Sequence, residues 1–340
     1  MAKHTFEELQ QWQSLPLSIK IRMTEERIRD WVREYGEDGV YVSFSGGKDS
    51  TVLLDIVRKL YPSIVAVFVD TGLEYPELRD FVRTFENVVW LNPKMNFKQV
   101  IEKYGYPFIG KEVSLKVAEA KSKPNGYASK SFIEESKGGR KSPYNYSKYA
   151  FFLESTFKID GKCCNVMKKN PIKKYESQTG RTGITGQMAS ESLARTKEWL
   201  VNGCNSFDKK RPISNPMAFW TEQDVLLYIK ENNLPIASVY GDIVIDYDGE
   251  GQLEGQMDMF DLGIFEKDRR LLKTTGCDRT GCMFCGYGCH LEKSPNRFER
   301  MKETHPKQYD YIMRPKEQGG LNYKEVIDWI NEHGNMDIKY

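Results

Sequence analysis

At 340 residues the chain is long enough for one large domain or two modest ones. Hydrophobic residues make up 39% and charged residues 29%, an ordinary soluble mixture, and no apolar run reaches the length of about 18 that a membrane helix needs. A net charge of +2 leaves whole-chain charge silent on any polyanionic partner. The start, Met1-Ala-Lys-His-Thr-Phe-Glu-Glu, has no apolar signal core, so the expectation is a cytoplasmic protein. In that reducing compartment the seven cysteines read as metal ligands, redox groups or buried small residues rather than structural disulfides.

Residues 17–35 carry apolar positions at helical spacing (Leu17, Ile21, Ile28, Trp31, Val32), and 1–37 reads as a helical segment packed on the core. Alternation follows: strand 40–45, a helix from 48, strand 64–70, helix 75–86, strand 88–91 and helix 97–104. This predicts an α/β fold, a Rossmann-like parallel sheet with helices on both faces and right-handed crossovers. Ligands in such sheets sit beyond strand C-termini, where Ser45 and Asp70 lie.

Residues 111–149 differ, with eight lysines and one arginine against four glutamates, plus Tyr127, Tyr144, Tyr146 and Tyr149. Basic residues interleaved with aromatics suit a nucleic acid, DNA or tRNA, while the simpler reading is a solvated, mobile insertion. Residues 242–261 hold seven acidic residues and no Lys or Arg. The run from Asp246 resembles a calcium loop, but its twelfth position is Met257 instead of Glu, so calcium is rejected in favour of an acidic loop. Thr221 and Asp224 read as a helix cap and its capping-box partner.

The most specific stretch is Ser45-Gly46-Gly47-Lys48-Asp49-Ser50, between a strand and a helix. Adjacent glycines permit positive φ and close approach of a ligand, and N–H groups at a helix N-terminus attract an anion. Ser45 and Ser50 add hydroxyl donors and Lys48 a point charge. The bland alternative is a plain strand-to-helix turn. The motif resembles the PP-loop of the adenine-nucleotide α-hydrolase superfamily and is not a Walker A loop, since Gly-x-x-x-x-Gly-Lys-Ser/Thr is absent. That resemblance implies ATP or a related adenine nucleotide, with Mg²⁺ accompanying ATP and chemistry between the α- and β-phosphates.

Further stretches narrow the likeness. Asp70-Thr71-Gly72 ends the next strand, Gly186 precedes Glu191-Ser192 and Arg195, and 215–225 reads Asn-Pro-Met-x-x-Trp-Thr-Glu-Gln-Asp-Val. Together these resemble the phosphoadenosine-phosphosulfate-reductase-like branch. The likeness implies Lys48, Asp49 and Asp70 as catalytic residues. It also implies a nucleotide site formed by Ser43, Ser45, Gly46, Gly47, Lys48, Asp49, Ser50, Asp70, Gly186, Glu191 and Arg195. On this reading 38–240 is the nucleotide-binding domain, and 241–340 holds the acidic loop, a Cys-rich segment and C-terminal helices.

Cys163-Cys164 is followed by Lys168, Lys169, Lys173 and Lys174, and Cys277-x4-Cys282-x2-Cys285-x3-Cys289 lies downstream. A C-x2-C pair suits an iron–sulfur cluster or zinc, and unmetallated thiols are a third reading. The pattern resembles cluster-bearing adenylylsulfate reductases, which implies a 4Fe-4S cluster on Cys163, Cys164, Cys282 and Cys285. Cys277 and Cys289 are extra thiols, Cys204 is unexplained, and His290 reads as a surface or capping residue.

Two departures matter. Reductases of this family carry a catalytic cysteine in a C-terminal Glu-Cys-Gly-x-His pattern, and 290–340 contains no cysteine. They also commonly lack the loop lysine, and Lys48 suits ATP. The leading expectation is therefore an enzyme that adenylylates a substrate, releases pyrophosphate and passes sulfur from an iron–sulfur centre or donor protein to an acceptor. In this it is similar to DNA phosphorothioation enzymes and tRNA thiolases. The alternatives are a sulfonucleotide reductase with a relocated thiol, Cys277 or Cys289, and a non-catalytic nucleotide-binding partner protein docked through 291–340.

Overall fold

The computed structural model describes residues 2–133, 145–246 and 271–340. The chain divides into two compact units, each assembled from separate stretches. The first comprises Met1–Asp70, Tyr75–Leu91 and Ile172–Thr280; the second comprises Thr71–Glu74, Asn92–Pro171 and Gly281–Tyr340. This grouping differs from the linear division at 37/38 and 240/241 expected from sequence.

The first unit holds a six-stranded sheet. From one edge the order is Val88–Leu91, Ala66–Val69, Val40–Ser43, Thr182–Ile184, Ile213–Ser214 and Asn205–Ser206. All neighbours are parallel except the last pair. Strand residues alternate between faces, as the pleat requires. Val40, Val42, Phe44, Ala66 and Phe68 join one core with Trp31, Leu53 and Trp220, which covers that face with the helices Leu17–Tyr35, Lys48–Leu60 and Glu222–Glu231. Tyr41, Val65 and Val67 face the other way onto Ile172 and Tyr175 of the helix Asn170–Thr179. The sheet is thus covered on both faces, as its unbroken apolar strands require.

The strands expected at 40–45 and 64–70 shorten to Val40–Ser43 and Ala66–Val69, because the residues beyond them turn into loops at the sheet edge, while Val88–Leu91 keeps its expected bounds. The acidic stretch begins with the strand Ile243–Ile245, paired antiparallel with Leu272–Thr274; its remainder, 247–261, lies outside the described residues, as do 134–144 of the basic stretch.

In the second unit, Phe108–Ile109 pairs in parallel with Gly286–Tyr287. A Cβ on Gly286 would meet Phe108 Cδ1 at 2.5 Å, so only glycine lets the strands approach this closely. The helices Arg297–Thr304, Pro306–Met313 and Tyr323–Gly334 form the expected tail. Phe298 and Tyr323 pack on Phe108, so the tail covers the second core. The basic stretch contributes the helices Lys111–Ser122 and Tyr127–Ile133. Tyr146 is buried against Phe132, with its hydroxyl on Glu112, and so cannot serve as a platform for a base. No helix among the described residues is long and apolar enough to cross a membrane.

Candidate functional site

In the first unit the central strand ends at Ser43, in register with Val67, and Val42 pairs with Ile184. Loop 45–50, Asp70 and Gly186 therefore leave the sheet at its C-terminal edge. Gly46 has φ +75, and a Cβ there would lie 2.8 Å from Val82 Cγ2, so both conformation and space demand glycine. Gly47 is extended and caps the helix Lys48–Leu60, so only one of the two glycines uses positive φ.

The loop is braced by its own hydroxyls. Ser45 N–H donates to Ser50 Oγ at 3.1 Å, Ser50 Oγ–H donates to the Gly47 carbonyl at 2.9 Å, and Gly47 N–H donates to Ser45 Oγ at 3.3 Å. Lys48 is buried. Its Nζ donates to Glu222, at the first position of the helix Glu222–Glu231, and to the Asp278 carbonyl at 2.6 Å. Lys48 N–H donates to the Tyr240 hydroxyl at 3.3 Å. A Cβ on Gly186 would sit 3.1 Å from the Asp49 carbonyl oxygen, so this glycine packs directly on the loop.

Asp49 Oδ1 is buried without a hydrogen-bond partner among the described residues. Burial holds the Asp49 carboxyl above its ordinary range, with Lys48, Arg279 and Arg195 pulling against that shift and Glu222 adding to it. Arg195 pairs with Glu191, whose Oε2 also accepts from Met188 N–H at 2.8 Å. Asp70 carries an ion pair with Arg79 at 2.7 Å.

Sequence reasoning missed Glu222, Tyr240, Asp278 and Arg279. Glu222 lies inside a stretch read as a cap only, and no local signal marks Tyr240 or Asp278 as partners of a lysine about 190 to 230 residues away.

In the second unit, Cys163, Cys164, Cys282 and Cys285 line one cavity of about 320 Å³, its open mouth included, with Leu73, Phe97, Met167 and Lys168 among its walls. The tandem cysteines open a helix that passes at once into a π-helical turn, Asn165–Lys169, which carries Lys168. The Cys163 and Cys164 sulfurs are 3.9 Å apart. The bond from Cys163 pulls the Cys164 thiol down to about 6; burial opposes that, and Lys111, Lys168 and Lys169 support it. Burial pushes Cys282 up to about 11. Burial works against the charge of Lys168, but Cys282 and Glu74 hold its ammonium above the ordinary range. Glu74 lies 3.6 Å from Lys168 and accepts from the Thr71 hydroxyl at 2.8 Å.

Four soft thiols beside cations fit a cluster or zinc by donor chemistry. Their side chains are gathered rather than closed: among the described residues, no group of three or more His, Cys, Asp or Glu is placed to hold a metal ion. Cys289 is fully buried and pushed up to about 12 by burial. Cys277 belongs to the first unit, where its N–H donates to the Val239 carbonyl at 2.9 Å. Cys204 is a small residue of the first core. His290 is half-buried, and burial lowers its pKa.

A family model described as the phosphoadenosine phosphosulfate reductase domain matches residues 39–122 and 128–286. An adenosine 5'-phosphosulfate reductase of Geobacillus kaustophilus (strain HTA426) is 30% identical over 60% of this chain and 67% of its own length. One from Lysinibacillus sphaericus (strain C3-41) is 26% identical over 66% of this chain and 78% of its own length. One from Staphylococcus haemolyticus (strain JCSC1435) is 24% identical over 79% of this chain and 87% of its own length.

Proposed function

Because the chain belongs to the phosphoadenosine phosphosulfate reductase family, we propose that it binds an adenine nucleotide on loop 45–50 and reduces a sulfonucleotide to sulfite and the parent nucleotide. The observation that carries this reading is the gathering of Cys163, Cys164, Cys282 and Cys285 around one cavity beside Lys168, in a chain whose relatives are named adenosine 5'-phosphosulfate reductases. On this reading those four thiols hold a 4Fe-4S cluster, which would supply redox or electrostatic chemistry when bound.

The residues of the first unit bind and orient. The Ser45 and Ser50 hydroxyls exchange their mutual bond for phosphate oxygens. Lys48, once released from Glu222, neutralises the charge that gathers on the leaving phosphate. A thiolate attacks the sulfate sulfur, an S–S bond forms and the S–O bond to the nucleotide breaks. A second thiol then displaces sulfite and leaves a disulfide, so two thiols supply the two electrons. Of the two extra thiols, Cys289 is fully buried with its pKa raised by burial, so on this reading the attacking thiol is Cys277 or one from a partner dithiol protein.

Lys48 itself favours a second reading, since a lysine in the loop suits a pyrophosphate leaving group. On this reading Mg²⁺-ATP adenylylates an acceptor, nucleic acid among the candidates through the basic stretch 111–149, and sulfur from a donor then displaces AMP.

Protein prepared without oxygen, given adenylyl sulfate or phosphoadenylyl sulfate with a dithiol protein, should release sulfite. Pyrophosphate from ATP without sulfite would transfer the assignment to the second reading. Nucleotide binding with neither product would leave a non-catalytic binding protein and overturn both.

A further inference from the structure

The short segment Asp278–Thr280 is bonded onto the loop. Lys48 Nζ donates to the Asp278 carbonyl at 2.6 Å. The Thr280 and Tyr240 hydroxyls share a bond of 2.6 Å, and the same Tyr240 oxygen accepts from Lys48 N–H. A Cβ on Gly47 would lie 3.3 Å from the Tyr240 hydroxyl and 3.7 Å from Thr280 Oγ1. This strap therefore crosses the loop at hydrogen-bonding distance.

Between the two anchored residues stands Arg279. Its side chain is exposed and has no hydrogen bond or ion pair among the described residues. It lies within electrostatic reach of Asp49 and of Arg195. The neighbouring cations are already engaged, Lys48 by Glu222 and Arg195 by Glu191. An arginine held by its backbone over an anion-binding loop, with its guanidinium uncommitted, has five donors ready for a tetrahedral oxyanion.

We propose that Arg279 is a further binding residue, presented by the strap Asp278–Thr280 to the tetrahedral oxyanion carried on the nucleotide's α-phosphate. That group is the sulfate of a sulfonucleotide or the β-phosphate of ATP, and AMP lacks it. Arg279 thus separates substrate from product at a loop that holds the α-phosphate in both. The inference rests on the nucleotide reading above.

Titration calorimetry with AMP, adenylyl sulfate and Mg²⁺-ATP on the full chain tests it, using wild type, Arg279→Ala and Arg279→Lys. Arg279→Ala should lose about 10- to 100-fold in affinity for adenylyl sulfate or ATP, the range of a charge-assisted hydrogen bond, and keep its affinity for AMP. Arg279→Lys should recover part of the loss, because it keeps the charge without the fork. Loss confined to adenylyl sulfate identifies the sulfate as the group held; loss confined to ATP identifies the β-phosphate. Unchanged affinities in Arg279→Ala, or an equal loss for AMP, would overturn the role of Arg279 alone. A wild-type protein that binds none of the three would overturn the nucleotide reading and this inference with it.

Discussion

Lys48 and Asp49 are neighbours in sequence with opposite situations. Lys48 is buried but has a carboxylate and a carbonyl; one Asp49 oxygen is buried with no hydrogen-bond partner among the described residues. Burial therefore raises the Asp49 pKa above its ordinary value. The folded state then holds a proton that the unfolded state has already released, so stability falls as pH rises from about 4 through the raised native value. Asp49→Asn should melt at a higher temperature than wild type at pH 7, with the gap closing as pH falls to about 4. The same variant should lose nucleotide turnover. Scanning calorimetry across pH checks the first claim, and equal melting temperatures at pH 7 would contradict it. A buried carboxylate that costs stability is expected where function retains it.

At the scale of the elements, the start of the helix Glu222–Glu231 joins two others, Leu17–Tyr35 and Lys48–Leu60. Thr221 and Asp224 form the expected capping box. Asp224 also accepts from Lys20 at 2.6 Å, and both side chains are buried, so the cap fastens the helix Leu17–Tyr35 as well. Trp220 Nε1–H donates to Thr24 at 2.9 Å beside it. Asp224→Ala should destabilise by about 3–5 kcal/mol, because it leaves a buried ammonium without its carboxylate. Thr221→Ala should cost only about 1 kcal/mol, the ordinary value of a cap. Urea unfolding separates the two, and similar losses would show that the ion pair adds nothing. One residue along, Glu222 reaches Lys48 from the same helix start. The capping pattern was legible because it is local. Its two ion pairs were not, because each joins residues about 170 to 200 positions apart.

At the scale of the molecule, chain order and compact units part ways. Cys163-Cys164 and Cys282-x2-Cys285 come from separate stretches of the second unit and meet at one cavity. Cys282→Ser and Cys163→Ser should lose iron and acid-labile sulfide from protein purified without oxygen, while Cys277→Ser and Cys289→Ser keep both. Unchanged iron in Cys282→Ser would sink this ligand set, and zinc without sulfide would make the centre structural. The basic stretch 111–149 is, in its described part, two helices and the start of the 3-10 helix Ser147–Glu154, with Tyr146 buried and Tyr127 exposed. Tyr127 stands exposed with the Lys116 ammonium over its ring, so one aromatic beside the charge excess remains open to base stacking while Tyr146 does not.

The sequence by itself determined the parallel sheet, the loop at the end of its central strand and the pairs of cysteines. Each of these is written in short-range periodicity or in a few consecutive residues, where sterics and hydrogen bonding leave little choice. Only the tertiary structure decided that Glu222, Tyr240 and Asp278 converge on Lys48 and that Gly186 packs on the loop, whereas the cavity lined by Cys163, Cys164, Cys282 and Cys285 gathers the set that the family resemblance already implied. Those meetings depend on how buried faces pack across long separations, and burial also raises the pKa of Asp49 and of Cys282. A motif names the groups available for chemistry, and packing decides which of them stand together and in what protonation state.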